Sequence, residues 1–161
     1  MNDLMMGIPA VDLADWMSGD ETRRQKFVKE LGHAYENIGF VAVKNHLIDD
    51  ETVEKLYREV KRFFDLPLEI KQKYEDPNIA GQRGYTSFGK EHAKDSNAGD
   101  LKEFWHFGQE VQGNDPIRDE YAENIFVDEL PEFNEVGLKA YRDLENTGRE
   151  MLRAIALHLS L

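Results

Sequence analysis

The N-terminal half of the chain alternates between short apolar runs and apolar positions at helical spacing. Residues 8–13 (Ile-Pro-Ala-Val-Asp-Leu) predict an edge strand, because the proline stands near the start, where a missing N–H does least harm. Ser18 and Glu21 form a capping box that predicts the beginning of a helix, and Gly39 predicts its end. Residues 40–43 form an apolar run that predicts a buried strand. The expected buried stripe of the helix consists of Phe27, Leu31, Ala34, Tyr35 and Ile38.

A second amphipathic helix is predicted after Asp49 and Asp50, whose carboxylates suit the positive end of a helix. Pro67 ends this helix and opens a short new one that reaches Tyr74. The apolar face of the second helix consists of Val53, Leu56, Tyr57, Val60, Phe63 and Phe64.

The regular pattern is lost in residues 75–99, where Gly, Pro, Asn, Asp and Ser predict a long loop. Residues 103–107 are aromatic and predict a strand, and an irregular stretch follows over 108–128. Pro131 then begins a final helix that is expected to reach the last residue. Residues 151–161 are apolar nearly all round, which predicts burial on several faces, against further sequence or against a partner.

Composition and charge narrow the possible functions. The 161 residues are 40% hydrophobic and 32% charged, which indicates one soluble domain over 1–161. The net charge of −12 repels nucleic acid and anionic lipid, so neither nucleic acid nor a membrane is expected as a partner. Cysteine is absent, which excludes disulfides, thiolate zinc sites and cysteine nucleophiles and suits a cytoplasmic location.

Five segments, taken in order, resemble the N-terminal region of the isopenicillin N synthase-like Fe(II)/2-oxoglutarate-dependent oxygenases. They are Ile8–Leu13, Gly39–His46, Phe63–Lys71, Gly81–Tyr85 and Lys102–Gly108. The resemblance implies a helix-rich α+β fold, the N-terminal portion of a double-stranded β-helix (jelly-roll) oxygenase. It also implies that the barrel is largely absent from this chain and would follow residue 161.

The resemblance further implies an enzyme that holds Fe(II) through two histidines and one carboxylate and binds 2-oxoglutarate. Decarboxylation of 2-oxoglutarate would be coupled to hydroxylation, desaturation or ring closure of a small organic molecule. The family's ligands are a His-x-Asp pair, a distant His and an Arg-x-Ser, and none of these patterns occurs here. We therefore expect this chain alone to bind neither iron nor 2-oxoglutarate and to be inactive. Its histidines are His33, His46, His92, His106 and His158.

The resemblance places Arg83 and Tyr85 over the mouth of the barrel, where they are predicted to contact the substrate. Arginine offers a fork for a carboxylate, and tyrosine offers a ring and a hydroxyl. The alternative is that Arg83 forms an ion pair within its loop and that Tyr85 packs in the core. Asn45 and His46 are predicted to satisfy backbone groups in a structural turn between a strand and a helix.

Two other classes of function stay open at this point. The chain could be a non-catalytic interaction module that buries its apolar C-terminal helix against a partner or a second copy of itself. It could also be a metal enzyme with an unfamiliar site that contains His92, His106 and nearby acids. The pair Lys102-Glu103 is expected to be an ordinary surface ion pair.

Overall fold

The computed structural model describes residues 7–92, 99–111 and 113–161. Contacts divide the chain into two compact units, Met1–Asp49 with Asp143–Leu161, and Asp50–Arg142, where the sequence predicted one domain over 1–161. The predicted helix-rich α+β composition is confirmed. The elements are β1 (Ala10–Asp12), α1 (Leu13–Met17), α2 (Glu21–Asn37), β2 (Ala42–Lys44), α3 (Asp50–Phe64), α4 (Leu68–Lys71), β3 (Gly84–Thr86), β4 (Phe104–His106) and α5 (Pro131–His158). Short 3-10 turns occupy Gln72–Tyr74, Pro77–Ile79 and Pro116–Glu120.

The beginning of α2 differs from the capping box predicted at Ser18. Asp20 is the N-cap, because its Oδ1 accepts hydrogen bonds from the backbone N–H groups of Thr22 and Arg23. The Ser18 hydroxyl instead donates to the carbonyl of Asp15 and so closes the end of α1. The end of α2 is as predicted, since Gly39 has a φ of +82° and its N–H donates to the carbonyl of Ala34.

The first unit is built on two short parallel strands, with Val11 of β1 paired to Val43 of β2. The prediction of a buried strand over 40–43 is wrong in both position and burial. The strand begins two residues later, and Phe40, which precedes it, is 68% exposed. The side chains of β2 are poorly covered because, among the described residues, β1 is its one neighbour in the sheet. The core of this unit consists of Val11, Leu13, Trp16, Phe27, Val28, Leu31, Met151 and Ala154.

The second unit has an aromatic core, in which the Phe63 ring of α3 stacks on Phe133 of α5 with centroids 5.0 Å apart. The predicted stripe of α3 is only partly correct. Phe63 is fully buried, but Tyr57 is 74% exposed. Glu59, which is not part of the predicted stripe, is buried. The charge of Glu59 is compensated because Arg62 Nη1 lies 2.7 Å from its Oε2. The predicted loop over 75–99 contains the strand β3.

The last helix contributes to both units. Its beginning at Pro131 agrees with the sequence prediction. Towards its end, Met151 and Ala154 bury a single face of the helix, whereas Leu152, Leu157 and Leu159 are exposed. None of the helices in the described ranges combines the length and apolar character that crossing a bilayer requires.

Candidate functional site

The segment that contains Arg83 and Tyr85 forms one strand of a hairpin in the second unit. Strands β3 and β4 are antiparallel, with Tyr85 opposite Trp105 and Gly84 opposite His106. Gly84 has a φ of +73°, and a Cβ at this position would lie 2.5 Å from the carbonyl oxygen of Tyr74. Only glycine fits such a backbone at such a distance. The hairpin thus brings together two of the segments, 81–85 and 102–108, on which the family resemblance depends.

Tyr85 is the most deeply placed of the predicted site residues. It is 1% exposed, and its ring meets the edge of the Phe63 ring at a centroid distance of 5.9 Å. Its hydroxyl donates a hydrogen bond to Glu103 Oε2 over 2.5 Å. Burial, followed by this hydrogen bond and the charge of Glu103, raises the pKa of Tyr85 well above its usual range. The phenol therefore keeps its proton at neutral pH and acts as a donor.

Glu103 is neutralised by a lysine that precedes the predicted loop over 75–99. Lys71 Nζ lies 3.0 Å from Glu103 Oε1 and 2.8 Å from Oε2, and it also donates to the carbonyl of Phe64 over 3.2 Å. The ammonium stands 5.6 Å from the centroid of the Tyr85 ring. These contacts satisfy the buried lysine and form a Lys71–Glu103–Tyr85 network beneath the hairpin. Removing one partner of such a network leaves an uncompensated buried charge.

Arg83 is 9% exposed and has few partners. Its Nη1 donates to the carbonyl of Gln82 over 2.6 Å, whereas its Nε is buried with no hydrogen-bond acceptor in the described residues. The guanidinium lies on Gly108, where a Cβ would come within 1.9 Å of Cζ. The side chain of Asn124 forms two hydrogen bonds with the backbone of Gly108. Its Oδ1 accepts from the Gly108 N–H over 2.8 Å, and its Nδ2 donates to the Gly108 carbonyl over 2.9 Å.

The two residues predicted to contact the substrate, Arg83 and Tyr85, therefore have different surroundings. The hydroxyl of Tyr85 is engaged by Glu103, and its ring is in the core, which favours the packing alternative for this residue. The loop ion pair considered for Arg83 does not occur, because no carboxylate in the described ranges lies within ion-pair distance of its guanidinium.

Asn45 lies in the first unit, directly after β2. Its φ is +51°, a left-handed conformation that asparagine tolerates, and its Nδ2 donates to Asp12 Oδ1 over 2.8 Å. The same carboxylate caps α1 by accepting from the backbone N–H of Ala14 over 2.9 Å. These hydrogen bonds lower the pKa of Asp12, and the bond from Asn45 has the largest effect. The neighbouring His46 is exposed.

The histidines do not converge. His33 lies beside Asn37, His158 Nε2 lies 2.9 Å from Glu36 Oε1, and His106 Nδ1 lies 2.7 Å from the carbonyl oxygen of Gly81. Among the described residues no group of three or more His, Asp or Glu side chains could hold a metal ion. These residues do not fit an iron site with two histidines and one carboxylate, and the alternative site with His92 and His106 gains no support from their placement.

Lys71 and Glu103 are the site residues that the sequence reasoning missed. Glu103 was expected to pair with Lys102 on the surface, and this expectation is wrong. Lys102 Nζ lies 2.7 Å from Glu91, while Glu103 turns inward to Lys71. Alternation along β4 could have indicated this, because residues 103 and 105 face the same side of a strand and Trp105 belongs to the core.

Comparison with known families and proteins supports the resemblance found in the sequence. The sequence model of the family described as non-haem dioxygenase in morphine synthesis N-terminal matches residues 8–129. The 2-oxoglutarate-dependent dioxygenase frbA of Dothideomycetidae sp. is 31% identical over 97% of this chain and 48% of its own length. The proline hydroxylase buaE of Petromyces alliaceus is 31% identical over 97% of this chain and 49% of its own. The chain thus spans about half the length of the curated relatives it matches.

Solved structures give the same result. A 2OG-Fe(II) oxygenase family protein from Caulobacter crescentus aligns with a TM-score of 0.81 and 34% identity, over 96% of this chain and 49% of its own. A full-length protein from Neurospora crassa, solved in complex with alpha-KG, aligns with a TM-score of 0.78 over the whole chain and 50% of its own. At 23% identity the second likeness concerns the fold alone.

Proposed function

Because the chain belongs to the non-haem dioxygenase N-terminal family, we propose that it is the N-terminal part of an oxygenase that uses Fe(II) and 2-oxoglutarate to oxidise a small organic molecule. In this proposal a catalytic barrel follows residue 161, and the present chain frames the barrel and forms part of the substrate lid. The match of residues 8–129 to the family is the observation that carries the proposal. A cytoplasmic location stays a prediction.

The proposal assigns iron and 2-oxoglutarate to residues outside this chain. The histidines of the described ranges are dispersed, and three of them already contact Asn37, Glu36 or the carbonyl of Gly81. What the described residues supply instead is a hairpin beneath which the carboxylate of Glu103 is neutralised by Lys71. Such a frame can hold side chains at the mouth of a neighbouring barrel in fixed positions.

Within this frame, contact of Arg83 with the substrate remains part of the proposal, and the unpaired Nε of its guanidinium supports it. For Tyr85 the geometry supports a positioning role, because its hydroxyl orients Glu103. For Asn45 and His46 we propose the structural turn that the sequence predicts. The hydrogen bond from Asn45 to Asp12 supports that role for the asparagine.

The test begins with the coding sequence downstream of the Leu161 codon, which is expected to encode a His-x-Asp pair and a later His. The longer product, loaded with Fe(II) under anaerobic conditions and then exposed to O₂ with ascorbate as the reductant, is expected to convert 2-oxoglutarate to succinate and CO₂. The 161-residue chain, treated in the same way, is expected to produce none. Succinate formation by the 161-residue chain itself would refute the assignment, and so would a longer product without the ligand residues.

One observation favours a second candidate, a non-catalytic interaction module. Leu152, Leu157 and Leu159 expose apolar side chains on neighbouring turns at the end of α5. If the module functions alone, this surface should be covered by a second copy or another protein. Size-exclusion chromatography coupled to light scattering tests whether the chain self-associates. A chain that remains monomeric at high concentration excludes self-association.

A further inference from the structure

The outer edge of strand β1 in the first unit has no neighbouring strand. The backbone N–H of Ala42 donates to the carbonyl of Pro9 over 2.8 Å, so Pro9 directs its polar group towards β2. Successive residues of a strand direct their backbone groups to opposite edges, and the N–H and C=O of Ala10 therefore point away from β2. No strand in the described ranges pairs with that edge. Ala10 thus offers one donor and one acceptor to an incoming strand.

A groove of about 650 Å³ lies beside this edge, between β1 and one face of α2. Residues 9–11 form its wall on the side of β1. The wall on the side of α2 consists of Lys26, Lys29, Glu30 and His33. These four residues recur at intervals of three and four, which places them on one face of the helix. The volume falls within the range of roughly 300–1,000 Å³ that is typical of ligand sites.

The groove is basic, although the whole chain carries a net charge of −12. Its one carboxylate, that of Glu30, lies 3.8 Å from Lys26 Nζ. Lys29 has no ion-pair or hydrogen-bond partner among the residues that the structure describes. Asn37 Nδ2 donates to His33 Nδ1 over 3.1 Å, which leaves Nε2–H as the donor of the neutral ring. The local excess of donors and positive charge favours an acidic occupant.

The spacing along α2 matches the spacing of side chains on an added strand. Val11 packs with Phe27 and Leu31, so the face of the sheet that carries Val11 is the face covered by α2. Because α2 lies in the crossover between two parallel strands, it runs roughly along them. Lys29 and His33 are one turn apart, about 6 Å along the helix axis. Alternate residues of a strand are about 7 Å apart and share one face, so two acidic residues separated by one other can contact both.

We propose that the groove between β1 and α2 binds an extended acidic segment of another protein, which adds to the sheet as a strand beside β1. Backbone hydrogen bonds to Ala10 supply affinity, and contacts of alternate carboxylates with Lys29 and His33 supply specificity. A second copy of this chain does not suit the groove equally well, because two basic grooves repel each other. This surface is independent of the oxygenase proposal, since it belongs to the first unit and contains no residue of the hairpin.

The test titrates the ¹⁵N-labelled 161-residue chain with the peptide acetyl-Glu-Val-Glu-Val-Glu-amide. Amide resonances of Ala10 and Lys29 are expected to shift in a saturable manner, and more weakly at high salt. At saturation the Ala10 amide should exchange with solvent at least about tenfold more slowly, because its outward N–H is then hydrogen-bonded. The same peptide with lysine in place of glutamate is expected to produce no saturable shift.

Two variants with the same change of net charge test the role of Lys29. Lys29→Glu should lower the affinity for the acidic peptide about tenfold, because an attraction becomes a repulsion. Lys44→Glu is the matched control, since Lys44 is exposed on β2 in the same unit and does not line the groove. K44E should bind the peptide with an affinity within about twofold of the unchanged chain. Equal losses in K29E and K44E would overturn the assignment to this groove.

Ala10→Pro tests the backbone contact. Proline removes the outward N–H and leaves the pairing of β1 with β2 intact, a position that edge strands tolerate. Its affinity for the peptide should fall about fivefold, the equivalent of one hydrogen bond. Where A10P does not fold, the exchange rate of the Ala10 amide in the unchanged chain decides the same point. Binding of the peptide without slower exchange at Ala10 would overturn strand addition.

Two further results would also overturn the proposal. If the acidic peptide produces no saturable shift, or if the lysine peptide binds equally well, the lysines serve only to keep other strands from the exposed edge. If the Ala10 amide becomes protected as the concentration of the chain alone is raised, and light scattering shows a dimer, the occupant is a second copy. Protection that requires the acidic peptide and leaves the chain monomeric is the result expected from the proposal.

Discussion

Lys71 Nζ lies 2.8 Å from Glu103 Oε2, and this contact joins two segments that are separated by 32 residues in the sequence. Lys71 is the last residue of α4, and Glu103 stands directly before β4. Both side chains are largely buried, with exposed fractions of 8% and 16%. Because Tyr85 donates to the same carboxylate, the contact also fixes the strand that follows Arg83.

Replacing Lys71 by methionine should lower the free energy of unfolding by about 3–5 kcal/mol, because Glu103 would remain buried without a cation. Equilibrium unfolding in urea measures this. The matched control is Lys61→Met, since Lys61 forms an exposed pair with Asp65 and its loss should cost below about 1 kcal/mol. A Lys71 variant no less stable than the Lys61 variant would show that the network contributes little.

A methyl group at Gly84 should destabilise the hairpin in two ways. The residue has a φ of +73°, which any L side chain resists, and its Cβ would lie 2.5 Å from the carbonyl oxygen of Tyr74. We expect Gly84→Ala to lower the free energy of unfolding by more than about 2 kcal/mol. Gly39→Ala is the control, because it shares the positive φ and has nothing within 4 Å, so that only the backbone strain of about 1 kcal/mol applies. Equal losses for the two variants would contradict the role of the close approach.

The sequence predicted the main helices and the aromatic strand because their apolar residues recur at regular intervals. Prediction failed where a polar residue had two possible roles. Ser18 and Asp20 are both good N-caps, and only the turn that ends α1 decides between them. Glu59 is buried because two arginines on the same helix neutralise it, and no hydrophobic pattern records such compensation. For the same reason the partner of Glu103 could not be read from the residue next to it.

The turn at Asn45 should make stability depend on pH through Asp12. The pKa of Asp12 is lowered below its ordinary value of 3.8, chiefly by the hydrogen bond from Asn45. A carboxyl group with a lowered pKa stabilises the fold above its ordinary pKa, and this contribution disappears as the pH falls through the lowered value. Asn45→Gly keeps the positive φ accessible and removes the amide, so it should be less stable than the unchanged chain at pH 7. The difference should shrink as the pH falls below 3.8 towards the lowered pKa of Asp12. A difference that does not change with pH would assign the effect to the backbone alone.

Gly32 of α2 lies beside the ring of His158 at the end of α5 within the first unit. A Cβ on Gly32 would lie 2.1 Å from Cε1 of His158, whose Nε2 stands 2.9 Å from Glu36 Oε1. Because the ring cannot stay in this position beside a methyl group, Gly32→Ala should break the contact with Glu36 and displace the last turn of α5. Although alanine favours a helix by up to about 1 kcal/mol, we expect a net loss of stability.

Gly148→Ala separates helix propensity from packing. Gly148 lies within α5 and has nothing within 4 Å of its virtual Cβ, so its replacement should raise the free energy of unfolding by about 0.5–1 kcal/mol. Hydrogen exchange then locates the effect of Gly32→Ala: amides of Ile155 to His158 should exchange faster, while those near Phe133 keep their protection. Stabilisation by both alanines would show that the ring of His158 moves aside freely. In that case the end of α5 would be held by Met151, Ala154 and Ile155, which lie in the core of the first unit or pack against it.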